Sequence, residues 1–234
     1  MTTAATNPPI EVEAKFLGGQ HEFKRILDWL NARQHFKAVR QPCVHRIHVY
    51  FDEGSKLRDA GCRLRCVLAA GEWCRYDFKA EGPSGATLEV AIKKDTPAPL
   101  PEMIDELVKK LHKGRFRRRL EDVKQTARII LTALGTHEKA VCSGPTLELE
   151  VSRDVLTSLE SGTAISEVEV ELESGKRGEF DRQIALMGAE LKLERTFETK
   201  LERLMQAGAH NGSRNRAPET RPNTMKSRHN KEIS

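Results

Sequence analysis

Apolar and polar residues alternate with a period of two through most of this chain, and that period predicts strands. In "IEVEAKF", Ile10, Val12, Ala14 and Phe16 share one face, while Glu11, Glu13 and Lys15 share the other. The same alternation runs through "VHRIHVYFD", "CRLRCVLA", "WCRYDFKA", "TLEVAIKK", "VKQTARIILTAL", "TLELEVS" and "SEVEVELES". That makes about eight strands, a number suited to a closed barrel. Three stretches switch to the helical period. Phe23, Ile26, Leu27 and Leu30 form one apolar stripe. Leu100, Met103, Ile104, Leu107 and Leu111 form a second, with Gly114 as its C-cap. Phe180, Ile184, Met187 and Leu191 form a third.

The polar faces of the strands are sorted by sign. Glu148 and Glu150 share a face in "TLELEVS", and Glu167, Glu169 and Glu171 share one in "SEVEVELES". Arg63 and Arg65 go together, as do Arg75, Asp77 and Lys79, and Lys124, Thr126 and Arg128. Each segment taken alone reads as the wet face of an antiparallel sheet. Taken together they do not, because like charges side by side repel, and a sheet made only for stability would interleave them. The sorting makes sense in an inverted α+β barrel: an eight-stranded antiparallel tunnel with its charges pointing inward and its apolar faces covered by the amphipathic helices. Carboxylates on one side suit hard divalent cations, Mg²⁺ or Mn²⁺. Lysines and arginines on the other suit phosphates. An anion that needs so many bases together with a metal is a polyphosphate chain.

Composition changes little in this picture. The chain is 38% hydrophobic, and no apolar run is long enough to span a bilayer. "MTTAATNPP" lacks the layout of a signal peptide, so the expectation is a soluble cytoplasmic protein with no membrane partner. The five cysteines include no CxxC pair and read as reduced thiols. The net charge of +5 owes much to the end of the chain, where Arg214, Arg216, Arg221, Lys226, Arg228 and Lys231 outweigh Glu219 and Glu232. Residues 1–9 and 206–234 read as disordered ends, and 10–205 as one folded domain. The basic run "KGRFRRRLEDVK" lacks interleaved aromatics and reads as a loop leading into a basic strand, with no support for specific nucleic-acid binding. His45 and His48 lie three apart on a strand, face opposite ways, and read as surface or core residues. Trp73 reads as a cover for the barrel end.

"EVEAK" is an ExExK signature. It is followed in order by "YFDEG", "LRDAGCRLR", "DFKAEG", "VKQTAR", "LELEVS", "ISEVEVELESG" and "ETKLERL". On these motifs residues 10–205 resemble the CYTH, or triphosphate tunnel metalloenzyme, superfamily. The resemblance implies an eight-stranded tunnel that acts on a triphosphate with Mg²⁺ or Mn²⁺. It implies metal-side acids at Glu11, Glu13, Glu148, Glu167 and Glu169, with Glu11, Glu13 and Glu169 the catalytic ones. It implies substrate-side bases at Lys15, Arg63, Arg65, Lys79, Lys124, Arg128 and Lys200. In the common register the second arginine of the RxR strand falls on Val67, and a shift of the strand makes Arg63 and Arg65 the pair. The expected function is metal-dependent hydrolysis of inorganic tripolyphosphate or a related triphosphate, with class IV adenylate cyclase or a non-catalytic polyphosphate-binding module as the alternatives.

Overall fold

The computed structural model describes residues 10–33, 35–69, 73–81 and 87–214. Of the ends read above as disordered, 1–9 and 206–234, residues 1–9 and 215–234 lie outside the described residues. In chain order the elements are β1 (Ile10–Glu11), β2 (Glu13–Leu17), α1 (Gln20–Arg33), β3 (Lys37–Arg40), β4 (Val44–Asp52), β5 (Cys62–Ala69), β6 (Trp73–Glu81) and β7 (Thr87–Lys94). They continue with α2 (Leu100–Lys110), α3 (Arg115–Asp122), β8 (Arg128–Ser143), β9 (Glu148–Ser158), β10 (Ala164–Ser174), α4 (Arg177–Leu191), β11 (Arg195–Thr196) and α5 (Lys200–Arg214).

The strands pair antiparallel in the order β1-β7-β6-β5-β4-β8-β9-β10-β2. Only Val12 separates β1 from β2, so the first strand of the chain closes the sheet on itself. Its first half pairs with β7 and its second half with β10. Counting that split strand once, the ring has eight strands among the described residues, which is the tunnel expected from the alternation. β3 fills the length of β8 edge that β4 leaves free, and β11 adds to β2.

The apolar faces point outward and two helical layers cover them. Ala14, Phe16, Val151, Val168 and Val170 pack under α1 and α4, against Phe23, Ile26, Leu30, Phe180 and Met187. Leu64, Tyr76, Phe78, Val90 and Ile92 pack under α2 and α3, against Met103, Ile104, Leu107 and Leu120. Full burial of each such large side chain contributes about 1.5–3 kcal/mol, which is what permits a charged interior.

A third cluster lies inside the ring. Tyr50, Leu131, Ala133, Leu156 and Ile165 face inward near one end, and Leu201 and Leu204 of α5 pack onto them. The tunnel therefore has an apolar floor plugged by α5. The plug starts sharply because Thr199 and Glu202 form a reciprocal cap: Glu202 N donates to Thr199 Oγ1 at 3.1 Å, and Thr199 N donates to Glu202 Oε2 at 2.8 Å. The helix then runs on to Arg214, past the point at Gln206 where the composition suggested disorder. No helix among the described residues is long and apolar enough to cross a membrane.

Two local readings are corrected. Gly114 does not cap α2, which ends at Lys110; it precedes α3. The basic run is not a loop entering a basic strand. Arg115–Asp122 is helical and anchored by buried Leu120, and the turn after it returns Ala127 N to Val123 O at 2.8 Å, so β8 begins only at Arg128.

Leu204 is 1% exposed at the floor. Leu204→Ala should lower the unfolding free energy by about 2–5 kcal/mol, read from the urea midpoint at unchanged slope. A change under about 0.5 kcal/mol would show that α5 does not pack into the ring.

Candidate active site

The inward faces of the ring enclose a polar cavity of about 250 Å³. Among the described residues it is lined by eight carboxylates and eight lysines or arginines. Strand parity puts them there. Glu11, Glu13 and Lys15 come from β1 and β2, Arg63 and Arg65 from β5, and Arg75, Asp77 and Lys79 from β6. Glu89 comes from β7, Lys139 from β8, Glu150 and Asp154 from β9, and Glu169 and Glu171 from β10. Arg46 and His48 of β4 complete the wall, and Lys200 enters from the start of α5.

The bases do not stand in unpaired rings, as the sorting by sign suggested. The barrel folds acidic strands against basic ones, so the charges pair. Lys79 Nζ lies 2.6 Å from Glu11 Oε2 and 3.2 Å from Glu89 Oε2. Arg65 meets Asp77 at 3.0 Å, Lys15 meets Glu13 at 2.8 Å, and Lys139 meets Glu150 at 2.6 Å. Lys200 is tied to Asp154, to Glu169 at 2.8 Å and to Glu167 at 3.4 Å. Arg63 and Arg46 form no ion pair among the described residues.

The structure brings some of the sequence-derived residues together and leaves others out. Glu11, Glu13, Lys15, Arg63, Arg65, Lys79, Glu169 and Lys200 line the cavity. Lys124 does not: it lies in the turn after α3 and pairs with Asp105 of α2 at 2.6 Å. Arg128 sits at the exposed start of β8 and donates to the carbonyls of Gln125 and Ala127 at 3.3 and 2.9 Å. Glu148 lies at the start of β9, beyond the lining. Glu167 is 1% exposed and takes Arg203 of the plug helix at 2.6 Å, so it docks α5. Two further acids line the cavity an even number of residues away, which keeps the face: Glu150 two beyond Glu148, and Glu171 four beyond Glu167. Glu150, Glu171 and Glu13 are direct neighbours across β9, β10 and β2.

Other lining residues were missed for identifiable reasons. His137, Lys139 and Asp154 fall beyond the expected ends of their strands. Glu89 is a lone acid among apolar residues. His48 was set aside as a surface or core residue. It lines the cavity at 2% exposure, and Gly135, diagonally across on β8, makes room for it, since a Cβ there would lie 2.8 Å from His48 Nε2.

Burial governs the electrostatics. Glu11 and Glu89 both lie on Lys79; burial and the neighbouring Glu89 carboxyl push Glu11 up to about 8 against the pull of Lys79. Burial, with the charges of Glu173, Glu13 and Glu150, pushes Glu171 up to about 7 against the pull of Lys79. Asp154 is held well below its usual range, because Lys200 and His137 outweigh its burial. Burial and the nearby Arg65 hold His48 down at about 2, so its ring is neutral.

No protein-family model matches the chain, and no curated protein matches it in sequence. Solved structures do match in fold. A protein described as an adenylate cyclase candidate from Bacillus halodurans superposes with a TM-score of 0.52 at 19% identity, over 85% of this chain and 98% of that one. A Pyrococcus horikoshii OT3 protein gives 0.53 at 15%, over 84% and 98%. An adenylyl cyclase candidate from Hippeastrum, described as having a dominant triphosphatase activity, gives 0.51 at 18%, over 84% and 95%. The fold is thus the closed antiparallel tunnel that these solved structures share.

The neutral His48 yields a testable sign. Its folded-state pKa lies below the ordinary value, so the unfolded chain binds the extra proton and stability falls as pH drops below about 6.5. His48→Gln should flatten the fall between pH 6.5 and 4.5 by up to about 1.4 kcal/mol per pH unit, measured by urea unfolding. An unchanged slope would mean that His48 is not buried as a neutral ring.

Proposed function

We propose that the chain is a divalent-metal-dependent hydrolase of tripolyphosphate or a related triphosphate, working inside the tunnel. The observation that carries this is a cavity inside the strand ring in which lysines and arginines from β2, β5, β6 and α5 face carboxylates from β1, β2, β7, β9 and β10. Such a lining neutralises and aligns a phosphate chain, and that is most of what phosphoryl transfer asks of a protein.

The donor set suits a hard cation. Among the described residues no three His, Cys, Asp or Glu side chains are gathered into a finished cage. Mg²⁺ rarely needs one, since it binds through one or two carboxylates together with phosphate oxygens and water. Glu13, Glu150 and Glu171 would hold it. The raised proton affinity of Glu171 marks a place where positive charge is missing. When bound, the metal would neutralise phosphate charge and lower the pKa of the attacking water.

The protein's own groups do the rest. Arg63 would bind phosphate directly, since no carboxylate holds it. Lys79, Lys15 and Lys200 would exchange a carboxylate for a phosphate oxygen. Glu11, its proton affinity raised by burial and by Glu89, would take the proton of the water. A second reading, cyclisation of ATP, is supported by the two neighbours described as cyclase candidates. It uses the same cradle with a ribose oxygen as attacker.

The deciding assay compares tripolyphosphate and ATP with Mg²⁺ or Mn²⁺. We expect pyrophosphate and phosphate from tripolyphosphate. Cyclic AMP from ATP would establish the cyclase, and tight binding without turnover of either would establish a binding module. Glu13→Gln should abolish turnover while keeping most of the triphosphate affinity. Arg63→Ala should weaken that affinity about tenfold or more without lowering the melting temperature, because Arg63 supports no ion pair. A hundredfold excess of tripolyphosphate over Kd should stabilise the fold by about 2.7 kcal/mol, visible as a rise in melting temperature. A chain ending at Arg214 should respond alike; loss of the shift on truncation would move the anion site to the basic end.

A further inference from the structure

The inner wall made by β4, β5 and β6 can be read in cross-strand rows. Tyr50, Arg65 and Asp77 form one, His48, Val67 and Arg75 the next, and Arg46, Ala69 and Trp73 the last. In the first of these rows the base is satisfied: Arg65 donates to both Asp77 oxygens at 3.0–3.2 Å. The other two rows differ. Arg46 has no ion pair among the described residues; its guanidinium lies 5.6 Å from the Trp73 ring centre, and its buried Nε has no hydrogen-bond partner. Arg75 gives Nη2 to Glu89, yet its buried Nε also has no hydrogen-bond partner. His48 lies between them in the interior. Its Nδ1 sits 3.4 Å from Arg65 Nη1 and so acts as acceptor, which leaves the proton on Nε2, again without a partner. In the middle of these groups stands Val67, a short apolar side chain flanked across the strands by His48 and Arg75.

Buried donors without acceptors are rare in native proteins. Here three of them line one cavity. Two belong to guanidiniums close enough for their charges to oppose each other. What the group lacks is an oxyanion. The row also argues against an aromatic base in this place, because Trp73 already carries two cations, Arg46 at 5.6 Å and Lys93 at 5.0 Å from its ring centre. The phosphate-binding side chains of the proposed function, Lys15, Arg63, Lys79 and Lys200, leave Arg46 as surplus positive charge at the Trp73 end, beside Arg75, which is paired with Glu89 and lies 3.9 Å from Asp77.

We infer that Arg46, His48 and Arg75 form a further phosphoryl subsite over Val67, extending the phosphate path beyond the length of tripolyphosphate. Its ligand is one more phosphoryl group of a linear inorganic phosphate chain. The subsite rests on the triphosphate-tunnel reading and deepens it. Arg46 is its principal donor, because its guanidinium is committed to no carboxylate and its planar fork matches phosphate oxygens.

The test is calorimetric titration of the full chain, without metal, with linear tripolyphosphate and linear tetrapolyphosphate. The wild-type chain should hold tetrapolyphosphate roughly tenfold or more tightly than tripolyphosphate, the scale of a charge-assisted hydrogen bond. In Arg46→Gln that ratio should fall to about one, and Arg46→Lys, which keeps the charge but not the fork, should recover part of it. Val67→Met fills the space from the neighbouring strand without removing charge and should also abolish the preference, which covers the case of an unfolded Arg46 variant. If the wild-type chain binds both anions equally, or the variants keep the preference, the subsite is refuted while the triphosphate reading stands. If the wild-type chain binds neither, the tunnel reading fails and the subsite with it.

Discussion

A charge buried inside a protein must be paired, and the architecture follows from meeting that condition for most of the sixteen charged side chains in one cavity. The strands meet it only in part locally, as where Lys15 pairs with Glu13 within β2. Lys79 on β6 finds Glu11 on β1, 68 residues away, only because the first strand closes the ring against β7. Lys200 finds Asp154 and Glu169 only because α5 turns back into the end of the barrel. Removing one partner of such a pair costs about 3–5 kcal/mol, since it strands the other charge. Closure of the ring, docking of the plug and pairing of the charges are therefore one event.

The arrangement turns a soluble domain inside out. A sheet with a charged interior must put its apolar faces outside, and α1, α4, α2 and α3 exist to cover them. Stability resides in the layers between helix and sheet, and the cavity is left free for chemistry. The internal ion pairs then act as placeholders. A phosphate chain can take the lysines and arginines, and a cation can take the carboxylates. Each pair that opens is replaced by one of the same sign pattern, so a ligand enters without leaving a buried charge alone. Arg63, Arg46 and Glu171 depart from this rule, being charged side chains in the lining without an opposite partner among the described residues, and they mark where ligand charge is expected.

Much of this was legible along the chain, because strand faces are a local property. The period of two placed Glu11, Glu13, Lys15, Arg63, Arg65, Lys79 and Glu169 on inward faces, and the helical stripes identified α1, α2 and α4 as covers. The ordered motifs pointed to the fold that the solved structures share. Tertiary structure decided position along the strand and the partner of each charge. Alternation cannot distinguish Glu148 from Glu150, or Glu167 from Glu171, because a shift of two residues keeps the face and changes only the depth. It could not exclude Lys124, since whether β8 begins at Val123 or Arg128 depends on α3 packing onto α2. Nor could it select Arg46, His48 or Asp154, whose meaning lies in neighbours from distant strands. A side chain's face depends on its own backbone, whereas its depth and its partners depend on how the ring closes.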